Sequence, residues 1–240
     1  AGMAANELGA KRVVVMAPNY QAGRDAVAGF KRTYKGEIAE EIYTKLDQAD
    51  FSVELARVRS LAPDAIFQFH PGGAGINLTK QFANSGLDGK IKMITPIYSM
   101  DERMLAATGT AGKGFYLSSL WSADLDNPQN KHFVQAFTQA YNRAPTAYAA
   151  QAYDTANLIG TALKAAGGDI AGKPDAFRDA LRRADFPSVR GKFKFGPNQH
   201  PVQDWYLLHI EAGPDGKLVY KNLKVIARDH TDVHAVDCKM

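Results

Sequence analysis

Three short loops carry the side chains of this chain that could recognise a small molecule. Each loop directly follows an apolar run, at 12–17, 64–69 and 91–96. The candidate ligand-binding residues are Tyr20 and Gln21 in the first loop, His70, Pro71, Gly72 and Gly73 in the second, and Tyr98 and Ser99 in the third. The chemistry that these residue types suggest is recognition rather than reaction.

The second half of each loop is predicted to open a helix. A helix N-terminus exposes unpaired N–H groups and the positive end of a dipole, so a carboxylate can bind there without lysine or arginine. Gly23, Gly72 and Gly73 would let a ligand approach the backbone closely. Tyr20, His70 and Tyr98 add flat rings with polar tips. For any one loop, an ordinary turn with glycine for sharpness and tyrosine for packing is an equally good interpretation. Three loops with the same pattern favour a binding site.

Motifs for catalysis are missing from the sequence. There is no Gly-x-Ser-x-Gly elbow, no P-loop, and no Gly-x-Gly-x-x-Gly after a strand. His70 could act as a general base, but no serine or cysteine nucleophile stands near it in the sequence. Cys238 has no credible acid–base setting. We therefore predict that the protein is not an enzyme.

Two other polar clusters have simpler interpretations. His230 and His234, with Asp237 and Cys238 after them, have a spacing compatible with a metal site, but they lie in a terminal segment without helical periodicity. We predict a solvated tail there, and neither a metal nor a cofactor. The basic residues Arg182, Arg183, Arg190, Lys192 and Lys194 could contact phosphate, but no base-stacking residues are interleaved among them, so a solvated face is the better interpretation.

The elements that must position the three loops alternate along the first half of the chain. Strands are predicted at 12–17, 37–43, 65–69, 92–95 and 114–117, and helices at 25–34, 51–61, 76–84 and 101–107. Such alternation is typical of βαβ units and a parallel sheet. The carboxyl ends of parallel strands lie at one edge, where α/β proteins bind their ligands. We therefore expect the three loops to converge.

The second half of the chain has a different pattern. Helices are predicted at 131–141, 148–166 and 174–183, followed by short strands at 192–195, 205–210 and 217–226. This helical stretch has too few strands to form its own sheet. The first ten residues resemble the end of a helix without an N-cap, so we expect the chain to begin inside a larger protein.

Bulk composition is that of a globular protein. The chain has 240 residues, 45% of them apolar, a formal net charge of +4 and a single cysteine. The mild charge neither requires nor excludes nucleic acid. The first residues contain no signal peptide.

Several stretches resemble the type I periplasmic solute-binding proteins of ABC transporters, in the branched-chain amino acid (Leu/Ile/Val)-binding family. They are residues 11–25 with the motif Ala17-Pro18-Asn19-Tyr20-Gln21-Ala22-Gly23, residues 28–31, residues 63–67 with Gly72-Gly73, residues 145–154, and residues 190–195. The resemblance covers nearly the whole chain. It implies an α/β fold of the periplasmic binding protein type I class, with two doubly wound parallel-sheet lobes joined by a hinge.

On that plan, the first lobe is incomplete in this chain. Residues 1–121 and 204–240 would form the second lobe, and residues 122–203 the C-terminal helical part of the first lobe. The opening strands of the first lobe and its Ser/Thr-rich ligand loop are expected to lie outside this sequence. The family mapping places ligand contacts on Tyr20, on the loop 70–73, and near Ile97, Tyr98 and Ser99.

One departure from the family concerns the ligand. Amino acid binders of this family have an acidic residue about where Ile97 stands, and it pairs with the substrate ammonium. An unpaired ammonium buried beside Ile97 would be costly. The expected ligand is therefore a carboxylate without an α-amino group, aromatic or otherwise apolar.

The resemblance also implies a function and a set of partners. We expect a periplasmic, monomeric receptor that delivers its small-molecule carboxylate to an ABC permease in the inner membrane and does not bind nucleic acid. The alternative is the ligand-sensing domain of a regulator or receptor with the same fold.

Overall fold

The computed structural model describes residues 1–238, which group into two compact units. Unit 1 comprises Ala1–Ser119 and Tyr206–Ile226. Unit 2 comprises Leu120–Trp205 and the described residues from Ala227 onwards. Each unit is described separately below.

Unit 1 is built from alternating strands and helices around one sheet. Its elements are α1 (Gly2–Glu7), β1 (Arg12–Pro18), α2 (Gln21–Thr33), β2 (Glu37–Thr44), α3 (Ser52–Leu61), β3 (Ala65–Gln68), α4 (Gly72–Asn84), β4 (Lys92–Pro96), α5 (Glu102–Thr108) and β5 (Tyr116–Ser119). The strand order is β2-β1-β3-β4-β5, all parallel, and β7 (Pro201–Ala212) then pairs antiparallel with β5. The predicted parallel α/β sheet is thereby confirmed.

The core of unit 1 lies where the helices cover this sheet. Strand β1 is buried from Val13 to Pro18, as expected for a central parallel strand covered on both faces. On one face, Phe30 of α2 stacks on Phe67 of β3 with ring centroids 4.4 Å apart. The carboxyl ends of β1 and β3 are held by this packing, and the loops that follow them start from fixed positions.

Unit 2 is mostly helical in its described part. Its helices are α6 (Pro128–Tyr141), α7 (Ala147–Ala165) and α8 (Pro174–Arg183), and β6 (Lys194–Phe195) pairs with Pro201 and Val202 of β7. The starts of two helices follow from their sequences. The Asn127 side chain accepts a hydrogen bond from Asn130 N, and Thr146 accepts one from Ala149 N, as N-caps do.

The last two strands of the described chain are long. Strands β7 and β8 (Leu218–His230) are longer than predicted, and both continue from one unit into the other. The described residues from Ala227 onwards group with unit 2. The reason is local hydrogen bonding: Asp229 N donates to Asp204 Oδ1 at 2.9 Å, and Asn198 Nδ2 donates to Asp232 Oδ2 at 2.7 Å.

The predicted solvated tail is in part ordered structure. His230 ends β8, and a short 3-10 helix, Ala235–Asp237, follows it with Ala235 buried. Among residues 1–238, no helix combines the length and apolar character that crossing a membrane requires.

Candidate functional site

The three predicted loops meet at one edge of the sheet of unit 1. They follow β1, β3 and β4, which are parallel and register with one another: Met16 pairs with Gln68, and Phe67 with Ile94. Their carboxyl ends therefore lie on the same side, as the sequence predicted. We call this region, formed by residues 18–23, 69–75 and 96–101, the binding edge.

Two helices begin at the binding edge without a side-chain cap. Tyr20 is the N-cap residue of α2 and Pro71 that of α4, and neither side chain bonds to the helix. Gln21, Gly72 and Gly73 are exposed there. The first N–H groups of both helices therefore receive no hydrogen bond acceptor from their N-cap side chains, which is the setting that suits an anion.

The third helix at the binding edge differs from these two. Asp101 caps α5 by accepting hydrogen bonds from Arg103 N and Met104 N at 3.0 and 2.9 Å. Its buried carboxylate already occupies the helix N-terminus. The structure therefore leaves α2 and α4, and not α5, as the candidates for holding a ligand carboxylate.

Two glycines let the first turns of these helices pack closely against the backbone that precedes them. A Cβ at Gly23 would lie 2.0 Å from the carbonyl oxygen of Pro18, and a Cβ at Gly75 would lie 2.0 Å from that of His70. The sequence pattern predicted close approach of a ligand at Gly23, but Gly23 is buried and its missing side chain makes room for the backbone instead. Gly75 has the same role, which no feature of the sequence pattern had indicated.

Replacing Gly23 with alanine is expected to destabilise the protein by about 1–3 kcal/mol, because the new methyl group must displace backbone. The matched control is Gly29→Ala in the same helix, where nothing lies within 4 Å of the new Cβ. Alanine at an exposed helical position should be neutral or stabilising by up to about 1 kcal/mol. Urea unfolding of both variants measures the difference. Equal stability of the two would contradict the packing role of Gly23.

His70 is placed differently from a ligand-facing ring. Its side chain is fully buried. Its Nε2 lies 3.0 Å from Thr44 Oγ1 and its Nδ1 lies 3.2 Å from Gln68 Oε1. Phe51 meets the ring edge to face at a centroid distance of 5.4 Å. Burial lowers the pKa of His70 from 6.5 to about 4, so the ring is neutral at physiological pH.

The remaining predicted residues are distributed between surface and interior. Tyr20 and Tyr98 are half-buried, and Pro71 is exposed. Ser99 is buried, and its Oγ has no hydrogen-bond partner among the described residues. Ile97 is also buried. The structure thus brings the predicted residues to one edge but gives them unequal access to a ligand.

Two features outside the binding edge bear on the other sequence predictions. Within residues 1–238, no group of three or more His, Cys, Asp or Glu side chains could hold a metal ion. Arg190 is not part of a solvated basic face, because it is buried and its Nε donates to Asp154 Oδ2 at 2.8 Å. The other four basic residues of that set are exposed.

Comparison with known proteins identifies the family. The family model described as "Periplasmic binding protein" matches residues 1–217. A solute-binding protein of an ABC transporter from R. palustris, solved in complex with benzoate, is 34% identical over 100% of this chain and 64% of its own, with a TM-score of 0.88. A second, from Rhodopseudomonas palustris BisB5 in complex with 3,4-dihydroxybenzoic acid, is 35% identical over 93% of this chain and 62% of its own, with a TM-score of 0.78.

A curated relative supports the same assignment. The Leu/Ile/Val-binding protein homolog 2 of Brucella abortus (strain 2308) is 25% identical over 224 residues, which are 85% of this chain. The chain spans 58% of the length of that relative, and under two thirds of the two solved proteins. The resemblance to type I solute-binding proteins of ABC transporters is confirmed, and with it the α/β fold of that class: the chain belongs to the periplasmic binding protein family.

Proposed function

We propose that this chain is part of the solute-binding component of an ABC importer that captures a small aromatic carboxylate in the periplasm and delivers it to a membrane permease. The observation that carries the proposal is the pair of uncapped helix N-termini, α2 and α4, at one binding edge. They offer N–H donors and positive dipole ends to a carboxylate, and the half-buried rings of Tyr20 and Tyr98 lie in the adjoining loops.

The proposed ligand class follows from two residues of the binding edge that offer no anionic partner to an ammonium group. Ile97 is apolar, and Asp101 is buried as the cap of α5. An α-ammonium group brought here would lose water without gaining an anionic partner from either residue, at a cost of several kcal/mol. A benzoate-type acid makes no such demand. The benzoate and 3,4-dihydroxybenzoic acid bound by the two solved relatives support this choice.

The rest of the assignment rests on the family. We propose the second-lobe role for residues 1–121 with the strands from 204 on, and the first-lobe role for 122–203. Within the second lobe, the ligand contacts would be the backbone at Gln21, Gly72 and Gly73 together with Pro71, Tyr20, Tyr98 and Ser99. The partners would be the carboxylate and an inner-membrane permease, with the receptor working as a monomer and without nucleic acid or a cofactor. A ligand-sensing domain of a regulator remains the second candidate, but no feature of the binding edge favours it.

Isothermal calorimetry on the full-length protein tests the ligand class. Benzoate or a hydroxybenzoate is expected to bind, and leucine to bind at least tenfold more weakly. The matched probe is benzamide, which keeps the ring and replaces the carboxylate by a neutral amide. It should bind about 10-fold or more weakly than benzoate, because hydrogen bonds to a charged acceptor contribute about 1.5–3 kcal/mol. Tight leucine binding with no heat from benzoate-type acids would overturn the proposal.

A further inference from the structure

A row of buried polar side chains runs beneath the binding edge. Thr44 Oγ1 lies 3.0 Å from His70 Nε2, His70 Nδ1 lies 3.2 Å from Gln68 Oε1, and Gln68 Nε2 donates to Thr95 Oγ1 at 2.9 Å. All four side chains are at most 3% exposed. We call these four residues, Thr44, Gln68, His70 and Thr95, the edge network.

The edge network links the end of β2 to that of β3, which is not its neighbour in the sheet, and the end of β3 to that of its neighbour β4. Thr44 is the last residue of β2, Gln68 the last of β3, and Thr95 lies next to the end of β4. Strand β1 lies between β2 and β3 and is tied in by its backbone: Asn19 N donates to Thr44 O at 2.8 Å, and Phe69 N donates to Met16 O at 2.9 Å. All four strands that precede or flank the loops of the binding edge are therefore connected at their carboxyl ends.

The hydrogen bonds of the edge network are directional and specify one form of the imidazole. The backbone N–H of His70 donates to Gln68 Oε1 at 2.8 Å, so this oxygen is an acceptor. His70 Nδ1, which faces the same oxygen, must then carry the proton. In the neutral ring, Nε2 is then an acceptor for the hydroxyl of Thr44, which also lies 3.1 Å from a second acceptor, Lys45 O. Of the two neutral tautomers only Nδ1–H fits both contacts of the ring, and burial keeps the ring neutral by lowering the pKa of His70 to about 4.

The side chains around the ring hold it in this place. Phe51 packs edge to face on the imidazole. Two hydrogen bonds from Gln81 of α4 hold the loop that carries Phe51. Gln81 Oε1 accepts from Phe51 N, and Gln81 Nε2 donates to Ala49 O, both at 2.7 Å. Displacing His70 would leave buried donors and acceptors unpaired, and each such group costs about 1–3 kcal/mol.

We propose that the edge network is the element that positions the binding edge, and that His70 is its central positioning residue rather than a group that contacts the ligand. The expected effect on ligand affinity rests on the proposed function. The expected effect on the order of the loops is independent of it, because it concerns the unliganded protein.

The chain offers a matched set of variants to test this. Thr44→Val and Thr95→Val each remove one hydroxyl of the edge network at almost constant volume. Thr79→Val is the control, because Thr79 is equally buried in α4 and its Oγ1 has no hydrogen-bond partner within residues 1–238. His70→Asn keeps a donor near the Nδ1 position and removes the contact with Thr44.

Hydrogen exchange on the unliganded full-length protein is the first readout. The amides of Asn19, Phe69 and His70 are hydrogen-bonded at the binding edge. In Thr44→Val, Thr95→Val and His70→Asn they should exchange about 10-fold faster relative to amides in the middle of β1, while Thr79→Val leaves this ratio unchanged. A uniform acceleration of all amides would indicate a purely structural role and overturn the proposal. In addition, ¹⁵N NMR should show His70 as the Nδ1–H tautomer, and an Nε2–H tautomer would overturn the hydrogen-bond assignment.

Benzoate affinity is the second readout, and it distinguishes the proposal on the edge network from the proposed function. If benzoate binds, Thr44→Val and Thr95→Val should weaken it about 10-fold, and adding Thr44→Val to His70→Asn should cost nothing more. If both threonine variants keep the benzoate affinity of the unmodified protein while their hydrogen exchange changes, the edge network does not position the ligand site. Failure of the unmodified protein to bind benzoate would instead count against the proposed function, and the exchange result would stand.

Discussion

Replacing Asp154 with asparagine is expected to lower the free energy of unfolding by about 3–5 kcal/mol, because it leaves a buried guanidinium without its charge partner. Asp154 is fully buried in α7 and is the acceptor for three donors. Ser188 Oγ donates to it at 2.6 Å, Val189 N at 2.9 Å and Arg190 Nε at 2.8 Å. One carboxylate thus holds α7 to the segment 188–190.

The position of Arg190 explains the size of this effect. Its side chain is 8% exposed, its Nη1 donates to Gln203 Oε1 at 2.8 Å, and its guanidinium carbon lies 4.5 Å from the centre of the Phe193 ring. The cation is therefore fixed on three sides and cannot reach water without unpacking its neighbours. Asparagine keeps the size of Asp154 but removes its charge and turns one acceptor oxygen into a donor, so the loss combines the charge with at least one of the three hydrogen bonds.

An exposed ion pair in the same unit serves as the control. On α8, Asp179 Oδ1 and Arg182 Nη1 lie 3.3 Å apart, and about 60% of each side chain is exposed. Asp179→Asn should change stability by less than about 1 kcal/mol, as is usual for surface pairs. Urea unfolding followed by circular dichroism measures both variants. If Asp154→Asn proves as mild as Asp179→Asn, the pair does not hold α7 in place.

A paired replacement distinguishes the loss of a partner from the loss of packing. The double variant Asp154→Leu with Arg190→Met removes both charges and keeps apolar volume. It should be more stable than Asp154→Asn, because no buried charge is left unpaired. A double variant less stable than the single one would show that the hydrogen bonds to Ser188 and Val189 matter more than the charge.

The meeting of the three loops at one edge of the sheet was predictable from the sequence because it depends on topology. An apolar run followed by a Gly-containing loop and a helix is a local pattern, and parallel pairing brings such loops to one edge. The pattern was less accurate at the start of α4, which begins at Gly72 rather than at the predicted residue 76. Glycine is a weak helix former, so propensity placed the boundary one turn too late.

The roles of individual polar residues were not predictable, because their partners are distant in sequence. His70 meets Thr44, 26 residues earlier, and Arg190 meets Asp154, 36 residues earlier. Nothing in the neighbourhood of either residue indicates these pairs. Alone, His70 resembles a loop histidine that faces a ligand, and Arg190 resembles one member of a solvated basic run. Both side chains are buried because distant parts of the chain pack around them, and this burial determines which partners each of them has.

Acidification is expected to weaken the fold through His70. Burial lowers the pKa of His70 in the folded protein to about 4, whereas the unfolded chain has the usual value of 6.5. Between these two values the unfolded state binds more protons, so the free energy of unfolding falls as the pH falls. The stabilising contribution is complete above pH 6.5 and is lost as the pH approaches 4. The total loss is about 3 kcal/mol, since one pKa unit corresponds to about 1.4 kcal/mol.

The window between pH 7.5 and pH 5 separates this effect from the titration of carboxylates, which protonate mostly at lower pH. Over that window, the contribution of His70 to the loss should be about 2 kcal/mol. His70→Asn should reduce the loss by about this amount, and His132→Asn, at an exposed position of α6, should leave it unchanged. The buried amino group of Ala1, whose pKa burial lowers to about 5, titrates in the same window and contributes equally to all three chains. The side chains that contact the His70 ring, Thr44, Phe51 and Gln68, carry no charge, so no neighbouring titration can replace its own. If His70→Asn keeps the full slope, the ring is not buried in its neutral form and the tautomer assigned to the edge network is wrong.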